Sequence, residues 1–344
     1  MFREMVDSLC NKLERSIFPN NSLKCKVVFG PVQSRRLGNV IGINNIKSNI
    51  CSYNCVYCPI GATKCCSVCS INCLNPYELH LAVRLKLEEL KKCGKKIEYI
   101  VFAGRSEATL DRSLHKEILL LREFGYKIAV FTNSSLLWNE NIQENLMFAD
   151  YVSVRIDTVN EDTWHNINRP HQRLDYNHVL NGIKQFSEKF HGQLTTETML
   201  IKDINDNPEE IEGLANFLNS LKCEKSHFMT PIYPTSEIYA ESPDEENLGL
   251  LQSLLKEKVK NPAFLCCPEN EEFFASDDFE SELLGLLSFH PIRVSAIKNY
   301  IRTNDELKKL NRLLEKERIK ELNPNGKKYY AIADLETEPE TLLN

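Results

Sequence analysis

The sequence predicts an α/β protein, a partial (β/α)6-type barrel carrying a small C-terminal domain, and three observations lead there. From about residue 77, short apolar runs alternate with amphipathic segments of helical period. That alternation stops at an acidic, weakly periodic stretch over 268–280. Beyond it stand two helical patterns and a hairpin pattern. Parallel strands buried on both faces read as continuous apolar runs, and amphipathic crossovers between them build a parallel sheet.

The elements follow in order. PYELHLAVRLKLEELKKCG reads as a helix and IEYIVFAG as a buried strand; DRSLHKEILLLREFG and KIAVFTN repeat the pair, and NIQENLMFA and DYVSVRID repeat it again. A helix over Tyr176–Phe190 precedes the strand QLTTETMLI, and PEEIEGLANFLNSLK precedes KSHFMTPI. In such an array chemistry belongs at the C-terminal strand ends. After the acidic stretch, LLGLLSFHPIRVSAIKNYI, NDELKKLNRLLEKERIKEL and NPNGKKYYAIA suggest a winged helix, with Asn-Pro-Asn-Gly as the turn of the wing. The division expected is an N-terminal helix over 1–24, the barrel over 25–267, an acidic linker over 268–280, the winged helix over 281–333 and an acidic tail over 334–344.

The 344 residues include 42% apolar and 26% charged residues, the profile of a globular chain. A net charge of -6 argues against coating nucleic acid along the whole chain, although the segment 281–333 is basic. No apolar run approaches the length of a membrane span, and MFREMVDSLCNKLERSIF lacks the apolar region of a signal peptide, so a cytoplasmic location without membrane contact is expected. Thirteen cysteines then point to metal rather than disulfides, the more so because seven lie between Cys51 and Cys73.

The segment ICSYNCVYCPIG spaces Cys51, Cys55 and Cys58 as Cys-x3-Cys-x2-Cys. Thiolates are the ligands iron–sulfur clusters require, and electron-transfer clusters ordinarily use four. Three leave one iron open to a small molecule. A zinc site is the competing reading, but zinc typically takes four ligands from paired motifs.

This spacing, with Tyr57 before the last cysteine, resembles the signature of the radical S-adenosylmethionine (SAM) superfamily. FGPVQSRRLGNVIGIN, FTNSSLL, INRPHQRL and MLIKDIND extend the resemblance to a subgroup of Fe–S oxidoreductases with a C-terminal winged helix, distantly similar to wyosine tRNA-modifying enzymes, over roughly residues 25–333. The resemblance implies a [4Fe–4S] cluster, SAM bound to its open iron, and reductive cleavage to methionine and a 5′-deoxyadenosyl radical. It implies that Tyr57 packs on adenine, and that Gly104, Ser106 and Glu107 meet the methionine moiety. The subgroup usually has a second glycine and a proline there, where Ser106 and Ala108 stand. Asn133 and Asp157 would bond ribose hydroxyls, and Met199 would face adenine. Flavodoxin or ferredoxin is the implied kind of electron donor; RNA and a peptide or protein side chain are both open as substrate.

Two further features are read from the residues alone. Ser34-Arg35-Arg36, between the turn residues Gly30-Pro31 and Gly38, suits capture of a carboxylate or phosphate, or else pairs with acidic side chains of the barrel. Cys65, Cys66, Cys69 and Cys73 have spacings suited to an auxiliary iron–sulfur cluster, with a zinc site, a disulfide or free thiols as alternatives. The competing class of function is a non-catalytic iron–sulfur or zinc regulator that binds DNA through the winged helix; the barrel array favours the enzyme.

Overall fold

The computed structural model describes residues 27–46, 49–266 and 279–333. The expected N-terminal helix, the acidic tail and all but the last two residues of the linker lie outside them. The central sheet runs β1 (Val28–Ser34), β2 (Gly38–Ile43), β5 (Tyr99–Phe102), β6 (Lys127–Thr132), β7 (Tyr151–Arg155), β8 (Gln193–Met199), β9 (Lys225–Met229) and β10 (Pro262–Phe264), in that spatial order. β1 pairs antiparallel with β2, and every later pair is parallel. β3 (Ile50–Cys51) and β4 (Cys65–Cys66) form a separate two-stranded ribbon.

Among the described residues seven helices accompany the sheet: α1 (Pro76–Lys92), α2 (Leu114–Leu121), α3 (Glu140–Leu146), α4 (Glu161–Asn168), α5 (Tyr176–Lys189), α6 (Pro208–Ser220) and α7 (Glu245–Lys258). Asn75, Asn139, Asn160, Asp175, Asn207 and Asp244 cap six of them by accepting backbone N–H bonds of the first turn. The apolar stripes of α1 and α5 and the strands Ile100–Phe102, Ile128–Val130 and Val152–Val154 meet in one continuous core.

Three differences from the sequence reading have local causes. The sheet gains the β1–β2 hairpin, because Gly30–Pro31 lies within β1, at a register shift between Phe29 and Val32, and does not form a turn. It also gains β10, three residues too short to show a period. The helix expected from Asp111 starts at Leu114, because the Asp111 carboxylate accepts the Ser113 N–H at 2.8 Å and holds the preceding turn out of the helix.

At the C-terminus, α8 (Phe279–Leu287), β11 (Ile292–Arg293), α9 (Val294–Tyr300), α10 (Asn304–Glu315), β12 (Ile319–Leu322) and β13 (Tyr329–Ile332) follow in order. The strands form an antiparallel sheet β11-β13-β12. This unit has its own core around Leu283, Leu287, Ile297, Leu310 and Leu313. It also touches the barrel: Phe289 stacks on Phe29 at 5.1 Å, His290 stacks on Tyr233 at 4.3 Å, and Glu282 pairs with Lys86. Among the described residues no helix is long and apolar enough to cross a membrane.

Gly182 lets α5 lie against the backbone of the loop before α3. A β-carbon there would stand 2.4 Å from Trp138 N and 2.5 Å from the Leu137 carbonyl carbon. Both obstacles are backbone atoms, so Gly182→Val is expected to lower stability by about 1–3 kcal/mol, read as a lower denaturant midpoint with unchanged slope.

Candidate functional site

The site begins where the chain leaves β3 and enters the cysteine loop. A segment from the end of α4 straps this loop in place. The Asn54 N–H donates to Asn168 O at 2.9 Å, Val56 N–H to Ile167 O at 2.9 Å, and His171 N–H to Ser52 O at 2.9 Å. From the other side, Glu237 N–H donates to Val56 O at 2.9 Å. Arg169, left-handed at φ 44°, turns the strap away from α4 and reaches Glu237 at 2.5 Å and the Tyr239 hydroxyl at 2.9 Å.

The three cysteines of this loop line a single cavity of about 320 Å³. Tyr57, Gly104, Ser106, Glu107, Asn133 and Met199 line the same cavity, so the structure brings together six of the seven residues expected to bind SAM. Burial pushes the Cys55 thiol up to about 12, with the nearby Asp157 charge adding to the effect. Burial raises Cys51 and Cys58 as well, the former further through Glu107. Bare thiolates are therefore disfavoured here, and a metal cluster would supply the positive charge they lack. The donor set fits such a group. Cys51 receives the Tyr53 N–H and the Asn133 amide at 3.4 Å, Cys55 the Asn168 amide at 3.5 Å, and Cys58 the Ile60 and Gly61 N–H groups. Among the described residues no three His, Cys, Asp or Glu side chains converge as a single ion requires. A multi-iron cluster differs in this respect, since each thiolate binds a different iron.

Asp157 stands elsewhere than expected. It is 3% exposed and lies behind Tyr57, outside the lining of the large cavity. Its carboxylate accepts from the Tyr57 hydroxyl at 2.5 Å, Asn168 at 2.7 Å and Met199 N–H at 2.9 Å. It is engaged three times from within the protein, and through the first of these bonds it supports Tyr57. Glu107 is similarly committed, accepting from Thr109 N–H at 3.1 Å, the Thr109 hydroxyl at 2.6 Å, the Thr132 hydroxyl at 2.6 Å and Asn133 N–H at 2.7 Å. Gly104 owes its lack of a side chain to Asn44, whose Oδ1 would lie 2.3 Å from a β-carbon there. The Ser106 hydroxyl accepts the Ile50 N–H at 3.2 Å, which ties the end of β5 to the cysteine loop.

Inside the barrel lies an ion-pair centre of which the sequence reading named only the arginine loop. Glu197 accepts from Arg155 at 2.5 Å and from the Ser153 hydroxyl at 2.7 Å, and it approaches Arg36 at 2.5 Å in a close but poorly aligned ion pair. Arg36 also lies 4.3 Å over the Phe131 ring. Burial opposes the charge on Glu197, but Arg36 and Arg155 overcome it and hold the carboxyl well below its usual range. Arg155 in turn donates to the Tyr57 hydroxyl at 3.2 Å. The pairing alternative for the arginine loop is thus the geometry seen at Arg36, while Arg35 reaches across to the Leu265 carbonyl beyond β10. Charged residues inside otherwise apolar strands, as in SVRID and TTETM, were the available signal for this centre.

The second cysteine group is arranged otherwise. Cys65, Cys66 and Cys69 are exposed and Cys73 is half-buried. β4 sets Cys66 beside Cys51 in register, and its sulfur lies 3.6 Å from the Ser52 carbonyl. Cys69 lies 3.8 Å from Arg173.

A family model described as the radical SAM superfamily matches residues 45–218. The chain is 36% identical to the UPF0026 protein MJ1312 of Methanocaldococcus jannaschii over 307 residues, 88% of this chain and 95% of that one. It is 30% identical to a protein named GTPase Obg from Brachyspira hyodysenteriae over 326 residues, 91% of this chain but 46% of that longer one. Among solved structures, a radical SAM methyltransferase from Sphaerobacter thermophilus superposes with a TM-score of 0.51 at 16% identity, over 65% of each chain, a likeness of fold.

The Glu197 centre has a measurable signature. Glu197→Gln leaves two guanidiniums without their counter-charge, and a loss of about 3–5 kcal/mol is expected near neutral pH. The folded-state pKa is depressed, so Glu197 contributes its full stability above the unfolded carboxylate value. That contribution falls as pH drops below about 4. Denaturation of wild type and variant should therefore differ widely near neutral pH and converge in acid.

Proposed function

Because the chain belongs to the radical SAM superfamily, and so is an enzyme whose cofactors are an iron–sulfur cluster and SAM, we propose that Cys51, Cys55 and Cys58 hold a [4Fe–4S] cluster with one iron open to SAM. The observation that carries this reading is the opening of three half-buried cysteines, each with an N–H donor at its sulfur, onto one cavity. When bound, the cluster supplies the electron that splits SAM into methionine and a 5′-deoxyadenosyl radical, which takes a hydrogen atom from the substrate.

The chain's own residues bind, orient and shield. Tyr57 offers its ring to adenine, its hydroxyl being drawn back by Asp157. Gly104, Ser106, Asn133 and Met199 border the space for the rest of SAM. Glu107 acts on SAM through the backbone and Asn133 that it holds. Arg36, Glu197 and Arg155 line the remaining cavity and face the substrate. Phe289 and His290 bring the C-terminal unit into the same lining, which helps keep water from a reactive radical. An external flavodoxin or ferredoxin is the proposed electron source.

We read the C-terminal unit as a winged helix with an excess of basic residues over 281–333. That charge supports RNA as a substrate over a peptide or protein side chain, and its test is salt-dependent binding of tRNA. The cavity shared by the three cysteines favours the enzyme over a DNA-binding regulator. An auxiliary cluster on Cys65, Cys66, Cys69 and Cys73 rests on their spacing alone, and iron near eight rather than four per chain would support it.

Anaerobic reconstitution should give about four irons per chain, and SAM with dithionite should yield 5′-deoxyadenosine. Cys55→Ala should abolish that product. Persistence of 5′-deoxyadenosine in the variant, or its absence from the iron-loaded wild type across reductants and candidate substrates, contradicts the assignment.

A further inference from the structure

Two side-chain amides point at the sulfurs of the cysteine loop, and the chemistry of their neighbours settles which end of each amide does so. Asn133 Oδ1 accepts the Ser135 N–H at 3.0 Å. A backbone N–H can only donate, so the oxygen end is taken and the NH2 group faces the other way. That NH2 group lies 2.9 Å from the Ser52 hydroxyl and 3.4 Å from Cys51 Sγ. Asn168 Nδ2 lies 2.7 Å from Asp157 Oδ2 and 3.5 Å from Cys55 Sγ. The Tyr57 hydroxyl and the Met199 N–H also donate to the Asp157 carboxylate, and because a carboxylate can only accept, the end of Asn168 that faces it is the NH2 group.

We propose that Asn133 and Asn168 are positioning residues that set the electron affinity of the cluster on Cys51, Cys55 and Cys58, by donating N–H hydrogen bonds to two of its thiolate sulfurs. The inference rests on the reading of those three cysteines given above. One electron enters from an external reductant and takes the cluster from its oxidised 2+ to its reduced 1+ state. No bond is made or broken in that step, and the added negative charge spreads onto the sulfurs. A donor aimed at a sulfur stabilises the reduced state more than the oxidised one and raises the reduction potential.

The two positions differ in leverage. Cys51 keeps the Tyr53 N–H when Asn133 is removed, and Cys58 has the backbone N–H groups of Ile60 and Gly61. Cys55 draws on the Asn168 side chain. Asn168 also straps the cysteine loop, but through its backbone carbonyl, which a side-chain substitution leaves in place. The amide is itself held by a chain running from Glu197 through Arg155 and the Tyr57 hydroxyl to Asp157. Its orientation is therefore built in from the barrel lumen.

The test compares wild type, Asn133→Ala, Asn168→Ala and the near-isosteric Asn168→Asp after anaerobic reconstitution. Iron is counted, and the midpoint potential is measured by redox titration followed by electron paramagnetic resonance. The expected result is wild-type iron content with midpoint potentials more negative in every variant: least in Asn133→Ala, and more in Asn168→Ala and Asn168→Asp, both of which remove the N–H donor from Cys55. Full iron with an unchanged potential in Asn168→Ala overturns the proposal. So does loss of iron from both Asn168 variants together with an unchanged potential in Asn133→Ala, which is the pattern of a purely structural role. A wild type that takes up no iron refutes the three-cysteine assignment, a separate failure.

Discussion

The backbone bonds between the cysteine loop and the strap at 167–171 are the constraint on which the rest of the site depends. A loop bearing three half-buried cysteines has no regular secondary structure of its own to satisfy its N–H groups. Here Ile167, Asn168 and Arg169 accept them, and His171 returns a donor to Ser52. The strap is positioned in turn by α4, which follows β7, so the geometry of the sulfurs is inherited from the parallel sheet. A left-handed Arg169 is the local cost, offset by the partners it finds in Glu237 and Tyr239.

A second layer of organisation is electrostatic. Two guanidiniums share Glu197 in the barrel lumen, and a hydrogen-bonded series leads from there through Tyr57 and Asp157 to Asn168. Buried charge of this kind costs desolvation, and strand residues of ordinary apolar character would pack more cheaply. Its presence beside the cavity ties the wall formed by Arg36, Arg155 and Glu197 to the groups that touch the sulfurs. The C-terminal unit joins the same wall through Phe289 and His290, so the second core and the barrel meet at the site.

Much of this was legible in the sequence, for identifiable reasons. β5 to β9 are apolar runs bounded by amphipathic helices, and that pattern survives without tertiary information. The cysteine loop is a local motif whose spacing carries its chemistry. The β1–β2 hairpin was hidden because Gly30–Pro31 looks like a turn, and β10 because three residues hold no period. Asp157 shows what strand-end reasoning leaves open: a polar residue at a C-terminal strand end can face the neighbouring helix as readily as the cavity, and here it bonds Asn168. Arg36, Arg155 and Glu197 come from three separate strands or turns, so only the folded sheet makes them a unit.

The central claim is that the three cysteines leave one iron open to SAM. Electron–nuclear double resonance on the reduced, iron-loaded protein, with SAM labelled at its amino nitrogen and carboxylate oxygen, addresses it most directly. The account predicts hyperfine coupling between the cluster and both labels. A fully loaded cluster that binds SAM without coupling to either label would contradict it.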